Sequence, residues 1–232
     1  MGGIRGRTTV WLRNLYELMQ EIAKFYQQQL PLNIPAQSYL QQRGLSAEII
    51  DRFQIGYVPN AMDTVYRQFG KTREEQQKLF DLGMLSRNDR GNVYDKFRNR
   101  IMFPIRDRRG RTVAFGGRVL TDEKPKYLNS PDSEIFNKRY NLYGLNFARK
   151  HLGNQKTLIL VEGYMDLISL YQFGIKNTVA TLGTALTDEQ AALIKRYADT
   201  LVLSYDSDQA GINASMRAID ILDRHGISVK VL

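Results

Sequence analysis

The chain contains no cysteine, which excludes disulfides and any thiolate zinc site within it. Only two histidines occur, His151 and His225; they make no metal-ligand pair, and both suit surface or helix-end positions. No apolar run approaches the length that crosses a bilayer, and the basic start from Met1 to Arg7 leads into no signal-type segment. With 43% hydrophobic residues, these absences predict a soluble globular protein of the cytoplasm that makes no membrane contact. Internal repeats and low-complexity tracts are also missing.

Positive charge, in contrast, is plentiful. The net charge is +9, and it is unevenly spread: between Arg87 and Arg118 there are ten Arg or Lys and three Asp. Such a concentration points to a polyanionic partner. The competing explanation is a solvated edge hairpin, where Lys and Arg discourage aggregation.

At 232 residues the chain is long enough for two lobes. Trp11, Leu12, Leu15, Leu18, Met19, Ile22, Phe25 and Tyr26 recur at spacings of three and four, which predicts an amphipathic helix over 9–29 whose stripe is core. Pro31 and Pro35 interrupt it. A short helix should then run to Arg43, and another from a Ser46 cap to Phe53, followed by an extended segment over 55–59. Residues 62–82 read as two helices separated at Gly70, the second opened by a Thr72/Glu75 capping box. From Met84 the texture turns to strands, with hairpin turns at Asn88–Gly91 and Asp107–Gly110. Residues 101–105 and 112–115 should pair across the second turn. The stretch from Gly116 to Pro131 reads as irregular, its paired glycines suiting close backbone approach. A short helix near 142–150 and a boundary at Gly153-Asn154 follow.

Beyond that boundary the pattern is βαβ: strands near 157–161, 177–181, 200–205 and 228–232 alternate with helices near 164–172, from Thr187 with Gln190 completing a capping box, and 210–224. A parallel sheet covered by helices on both faces is predicted. The fold class expected is α/β: a basic, mixed α+β lobe over 1–153 and a parallel βαβ domain over 154–232. That domain should be truncated at its C-terminus, because the chain stops in or at the end of a strand.

The chemistry concentrates at two strand ends. Leu158-Ile159-Leu160-Val161 runs into Glu162-Gly163, and Leu201-Val202-Leu203-Ser204-Tyr205 runs into Asp206-Ser207-Asp208. Parallel strands deliver their C-terminal ends to one edge, so Glu162, Asp206 and Asp208 should converge there. Three converging carboxylates repel one another unless a cation neutralises them, and their oxygens suit a hard ion such as Mg²⁺. If extended conformation persists, Asp206 and Asp208 point the same way. The plainer explanation of each single acid is a helix N-cap.

These two motifs resemble those of a Toprim domain, and Val161-Glu162-Gly163-Tyr164-Met165-Asp166 with Tyr205-Asp206-Ser207-Asp208-Gln209-Ala210-Gly211 is similar to its primase version. The likeness extends upstream to Tyr94-Asp95-Lys96-Phe97-Arg98-Asn99-Arg100-Ile101-Met102-Phe103-Pro104-Ile105, Phe115-Gly116-Gly117-Arg118, Pro125-Lys126-Tyr127-Leu128-Asn129-Ser130-Pro131 and Tyr143-Gly144-Leu145. Together they resemble the catalytic core of the bacterial replicative DNA primases, from about Leu15 to Leu232.

That resemblance implies an RNA polymerase: a nucleotidyltransferase that copies single-stranded DNA into short RNA primers from ribonucleoside triphosphates, using a two-ion Mg²⁺ or Mn²⁺ site. It further implies Glu162, Asp206 and Asp208 as metal ligands and catalytic groups, with Glu162 also able to assist deprotonation of the primer 3′-hydroxyl. Arg43, Arg118, Lys126 and Tyr127 fall to template or phosphate contact, and Arg98 and Arg100 to the template track. Asn129 and Lys138 would lie near the incoming nucleotide, and Gly163 and Asp166 at the phosphate site. Family members carry a zinc-binding module before this part, and after it a further Asp-Pro-Asp metal motif, a helical subdomain and a helicase-binding module. None of these is in this sequence, so the replicative helicase would be met through a region not present here and activity could be weak. Two other readings compete: another Toprim enzyme, topoisomerase or nuclease, and a single-strand-binding fragment without turnover.

Overall fold

A computed structural model describes residues 4–154 and 156–232, with side chains from residue 10 onward; the basic start from Met1 to Arg7 lies outside the described side chains. By packing, the chain divides into two units: residues up to 105 together with 111–137, and 106–110 together with 138–232.

In the first unit, helix α1 (Ile4–Gln29) is followed by a 3₁₀ turn (Leu30–Leu32), α2 (Ile34–Gln42), α3 (Ala47–Phe53), strand β1 (Gly56–Val58), α4 (Thr64–Phe69) and α5 (Arg73–Asp81). Strands β2 (Leu85–Arg87), β3 (Val93–Asp95), β4 (Arg100–Arg106), β5 (Thr112–Val119) and β6 (Tyr127–Asn129) come next. They form a four-stranded sheet of order β1-β4-β5-β6 and a separate β2-β3 hairpin. The stripe predicted for α1 is the one it buries: Leu15, Met19, Ile22, Ala23 and Tyr26 join Val58, Met102 and Phe115 in one cluster. Burial on this scale is worth roughly 1.5–3 kcal/mol for each large side chain. Gly56 sets how closely helix and sheet approach, since a Cβ there would overlap the main chain of Tyr26. Ser46 caps α3 through Ile49 N–H at 3.3 Å, and Thr72 and Glu75 form their capping box.

The stretch expected to be irregular from Gly116 to Pro131 is so over 120–126 and after Asn129, while its remaining parts are strand. Gly116, Gly117 and Arg118 belong to β5 and pair with Asn129, Leu128 and Tyr127 of β6. Glycines are depleted in strands, hence the sequence reads as loop. Here Gly117 makes room for a neighbour: a Cβ would stand 3.0 Å from Arg100 Cδ and 3.0 Å from the Phe97 ring.

Asp95 occupies a position that the sequence does not signal. It is fully buried, and its carboxylate accepts the N–H groups of Val65 at 2.6 Å and Tyr66 at 3.0 Å, capping α4 from β3. Asp63, the residue before α4, is instead paired with Arg67. Burial pushes the Asp95 carboxyl up from 3.8 to about 6 despite the two N–H donors. Between those values the folded chain therefore holds more protons than the unfolded chain, and stability falls as pH rises from about 4 to about 6, then levels. The size is on the order of 3 kcal/mol. Denaturant titrations of parent and Asp95→Asn from pH 4 to 7 should show this component only in the parent. Identical pH slopes would refute it.

The second unit holds a 3₁₀ turn (Lys138–Tyr140), α6 (Leu145–Ala148), β7 (Thr157–Val161), α7 (Tyr164–Gln172), β8 (Thr178–Ala180), α8 (Asp188–Lys195), β9 (Thr200–Ser204), α9 (Gln209–Arg224) and β10 (Ser228–Val231). Its sheet has the order β10-β9-β7-β8, every pair parallel. The predicted alternation is thus present element for element. Residues 138–153 pack with this sheet, ahead of the sequence boundary at Gly153-Asn154, because Leu142, Leu145 and Ala148 enter its core and Tyr143 bridges Ala180. His151 lies just after α6, where its ring meets the Phe147 carbonyl, and His225 is the C-cap of α9. Among the described residues no helix is long and apolar enough to cross a membrane.

Candidate functional site

The acids stand at adjacent strand tips. β7 and β9 run side by side with Val161 opposite Ser204, so the next residues, Glu162 and Tyr205, leave the sheet together. Glu162 Oε1 accepts the main-chain N–H of Asp206 at 3.1 Å, which ties the loop after β9 to the tip of β7. The strand conformation ends at Ser204, so alternation does not carry through to Asp208. Asp208 is the N-cap of α9 and its Oδ1 accepts Gly211 N–H at 2.8 Å. Gly211 is buried, and a Cβ on it would overlap the carbonyl oxygen of Asp206. Asp166, one turn into α7, accepts the Gly163 N–H at 3.1 Å and so fixes the start of that helix.

Glu162, Asp166, Asp206 and Asp208 are all exposed. Solvent therefore screens the mutual repulsion expected of them. Beside them, burial first and the charge of Glu162 second push the Tyr205 hydroxyl up. Among the described residues no three Asp, Glu, His or Cys side chains gather as a ready metal cage. Mg²⁺ commonly takes only one or two carboxylates and completes its shell with water and substrate phosphates, so a three-acid cage is not required to hold one.

Two of the basic residues, Arg43 and Arg118, meet at Tyr39 of α2 in the first unit. Arg118 is 8% exposed; its guanidinium lies 4.0 Å from the Tyr39 ring centre and 6.0 Å from that of Tyr127. Its Nη1 donates to the Val119 carbonyl at 3.0 Å, while its buried Nε has no acceptor among the described residues. Arg43 donates to the Tyr39 hydroxyl at 2.9 Å and also approaches that ring. Arg100 is buried and ties strands together, donating to the carbonyls of Gly117 and Lys126 at 3.2 and 3.3 Å. Arg98 donates to the Asp95 carbonyl and sits over Tyr94. Lys126 and Tyr127 are exposed and Asn129 is half-buried on β6. Lys138 belongs to the second unit, in the same packing unit as the acids. Sequence reasoning missed Tyr39, which no spacing marks out.

The sequence was compared with known families and structures. The family described as DNA primase catalytic core, N-terminal domain, matches residues 25–149, and the Toprim-like family matches 159–232. The chain belongs to the DNA primase catalytic-core family. It is 68% identical over 208 residues to a DNA primase of Haemophilus influenzae, covering 90% of this chain and 35% of that protein. To the DNA primase of Escherichia coli it is 48% identical over 210 residues, covering 90% and 36%. The Escherichia coli primase catalytic core is similar in structure, with a TM-score of 0.87 at 45% identity, over 94% of this chain and 71% of that one. A DnaG primase catalytic domain bound to single-stranded DNA matches with a TM-score of 0.87 at 45% identity, over 94% and 72%. This primase-family chain spans about a third of the length of the curated relatives it matches. The Toprim resemblance and the fold class expected from the sequence are thereby borne out.

Proposed function

We propose that this chain is the polymerising core of a primase, joining ribonucleotides into short RNA primers on a single-stranded DNA template. The observation that carries the reading is the bond from Asp206 N–H to Glu162 Oε1, which holds two acidic strand tips together on one edge of a parallel sheet. In the reaction the primer 3′-hydroxyl oxygen bonds to the α-phosphorus of the incoming nucleotide and pyrophosphate leaves. Glu162, Asp206 and Asp208 would hold the divalent ions. When bound, a pair of Mg²⁺ or Mn²⁺ ions would make the hydroxyl more acidic and neutralise charge on the phosphoryl oxygens. With Oε1 committed to Asp206, Glu162 has Oε2 left for an ion or for the hydroxyl proton. Asp166 and Gly163 would order the adjacent phosphate site, and Lys138 and Asn129 the incoming nucleotide.

Template binding falls to Arg43, Arg98, Arg100, Arg118, Lys126 and Tyr127. Guanidinium groups stacked on tyrosine rings offer both phosphate attraction and surfaces on which bases stack. Arg118→Lys keeps the charge but loses the planar donor fork. It should weaken single-stranded DNA binding about fivefold or more across all sequences, read by fluorescence anisotropy over a salt series. Unchanged affinity would remove Arg118 from the template contacts.

The test of the whole reading is incorporation of labelled ribonucleotides on a single-stranded template, with Mg²⁺ and with Mn²⁺, by this chain and by one extended past Leu232. Incorporation by either supports it. Relaxation of supercoils or nicking without incorporation would replace it with another Toprim activity. A second reading, strand binding without turnover by these 232 residues alone, is favoured by the inward turn of Asp208 onto α9. A replicative helicase would meet a region outside this chain, and the cytoplasm is the compartment that fits the reaction.

A further inference from the structure

Gln190, in the first turn of α8, has no exposed surface, yet every polar atom of its side chain is used. Its Oε1 accepts Thr187 N–H at 3.1 Å, and its Nε2 donates to the carbonyls of Lys138 at 3.0 Å and Asn141 at 2.8 Å. The amide orientation is unambiguous, because the reverse would set donor against donor and acceptor against two acceptors. Thr187 Oγ1 accepts Gln190 N–H at 3.1 Å and donates to the Arg139 carbonyl at 2.9 Å. Arg139 and Glu189 add an ion pair at 2.7 Å. The cap of α8 therefore grips three main-chain carbonyls of one turn, those of Lys138, Arg139 and Asn141.

No residue of that 3₁₀ turn is itself buried, and the buried Gln190 amide with the half-buried Thr187 hydroxyl holds its carbonyls. Satisfied buried amides of this kind favour a single local conformation. The sequence signals only the capping box; it gives no sign that the same two side chains also hold a distant turn.

We propose that Gln190 and Thr187 are positioning residues for nucleotide binding, fixing the backbone from which Lys138 meets the phosphates of a nucleoside triphosphate. This rests on the reading of Lys138 as a nucleotide contact. The experiment measures ATP affinity, by displacement of a fluorescent ATP analogue with Mg²⁺ present, for Gln190→Met, Lys138→Ala and the double variant. Hydrogen exchange over 138–141 and single-stranded DNA affinity are followed alongside. Gln190→Met should accelerate exchange in the turn and weaken ATP by roughly five- to twentyfold, the reach of one or two lost hydrogen bonds, with DNA affinity within about twofold. In the Lys138→Ala background the same change should cost less than about twofold. Thr187→Val, which keeps Gln190 and the shape of the cap, should give a smaller loss in the same direction and covers the case in which Gln190→Met does not fold. Equal losses with and without Lys138, or faster exchange with unchanged ATP affinity, overturn the positioning role. If Lys138→Ala alone leaves ATP affinity intact, the reading of Lys138 falls and takes this proposal with it.

Discussion

Asp206→Asn is expected to lower ribonucleotide incorporation by at least roughly a hundredfold, the scale on which catalytic electrostatic groups and metal-site residues act. The fold should be untouched. Asp206 is exposed, and its main-chain N–H, which meets Glu162, survives the substitution. Thermal unfolding within a degree or two of the parent, together with lost incorporation, would separate chemistry from stability. Full activity in Asp206→Asn would remove it from the metal site.

Asp208 and Glu162 sharpen that test, since each also does structural work. Asparagine caps helices about as well as aspartate, so Asp208→Asn retains the bond to Gly211 N–H and removes only the charge. If Asp208 serves solely as the cap of α9, that variant stays active and only Asp208→Ala suffers. If it also holds an ion, both lose incorporation. Glu162→Gln likewise keeps an oxygen for the Asp206 N–H, whereas Glu162→Ala releases the loop. Comparable losses in Gln and Ala point to the missing charge, and a much larger loss in Ala points to the strap.

Much of this is legible in the sequence. The periods of α1 and of the βαβ half come straight from apolar spacing, and the Thr72 and Thr187 caps from local chemistry, since both signals reside in neighbouring residues. Strand polarity gives the neighbouring tips of β7 and β9, whereas the bond from the Asp206 main-chain N–H to Glu162, in place of three gathered carboxylates, is not legible in it. What escaped depends on pairs far apart in the chain. Gly117 reads as loop because the reason for it, the Arg100 side chain crossing it, lies on another strand. Asp95 capping α4, Tyr39 gathering Arg43 and Arg118, and Gln190 holding Lys138 are likewise tertiary choices. The turn of Asp208 onto α9 shows local capping winning over strand alternation once β9 ends at Ser204.

Gly211→Ala should be the most disruptive single-methyl change near the acids. On an exposed helix this substitution stabilises by about 1 kcal/mol, because alanine is the better helix former. Here the added methyl would overlap the Asp206 carbonyl oxygen and lie 2.9 Å from its carbon, both main-chain atoms that cannot rotate aside. Either the Asp206 loop or the first turn of α9 must shift, at a cost of roughly 1–3 kcal/mol or more that outweighs the propensity gain. A shift of the loop also draws Asp206 N–H away from Glu162, and displacements near 1 Å can cost about a hundredfold in rate. Gly163→Ala is the contrast: its methyl would meet only the end of the Asp166 side chain, at 3.0 Å, and no main-chain atom. Denaturant midpoints and primer synthesis should therefore fall steeply for Gly211→Ala and mildly for Gly163→Ala. A Gly211→Ala chain as stable and as active as the parent would mean that α9 and the Asp206 loop are not locked together as described.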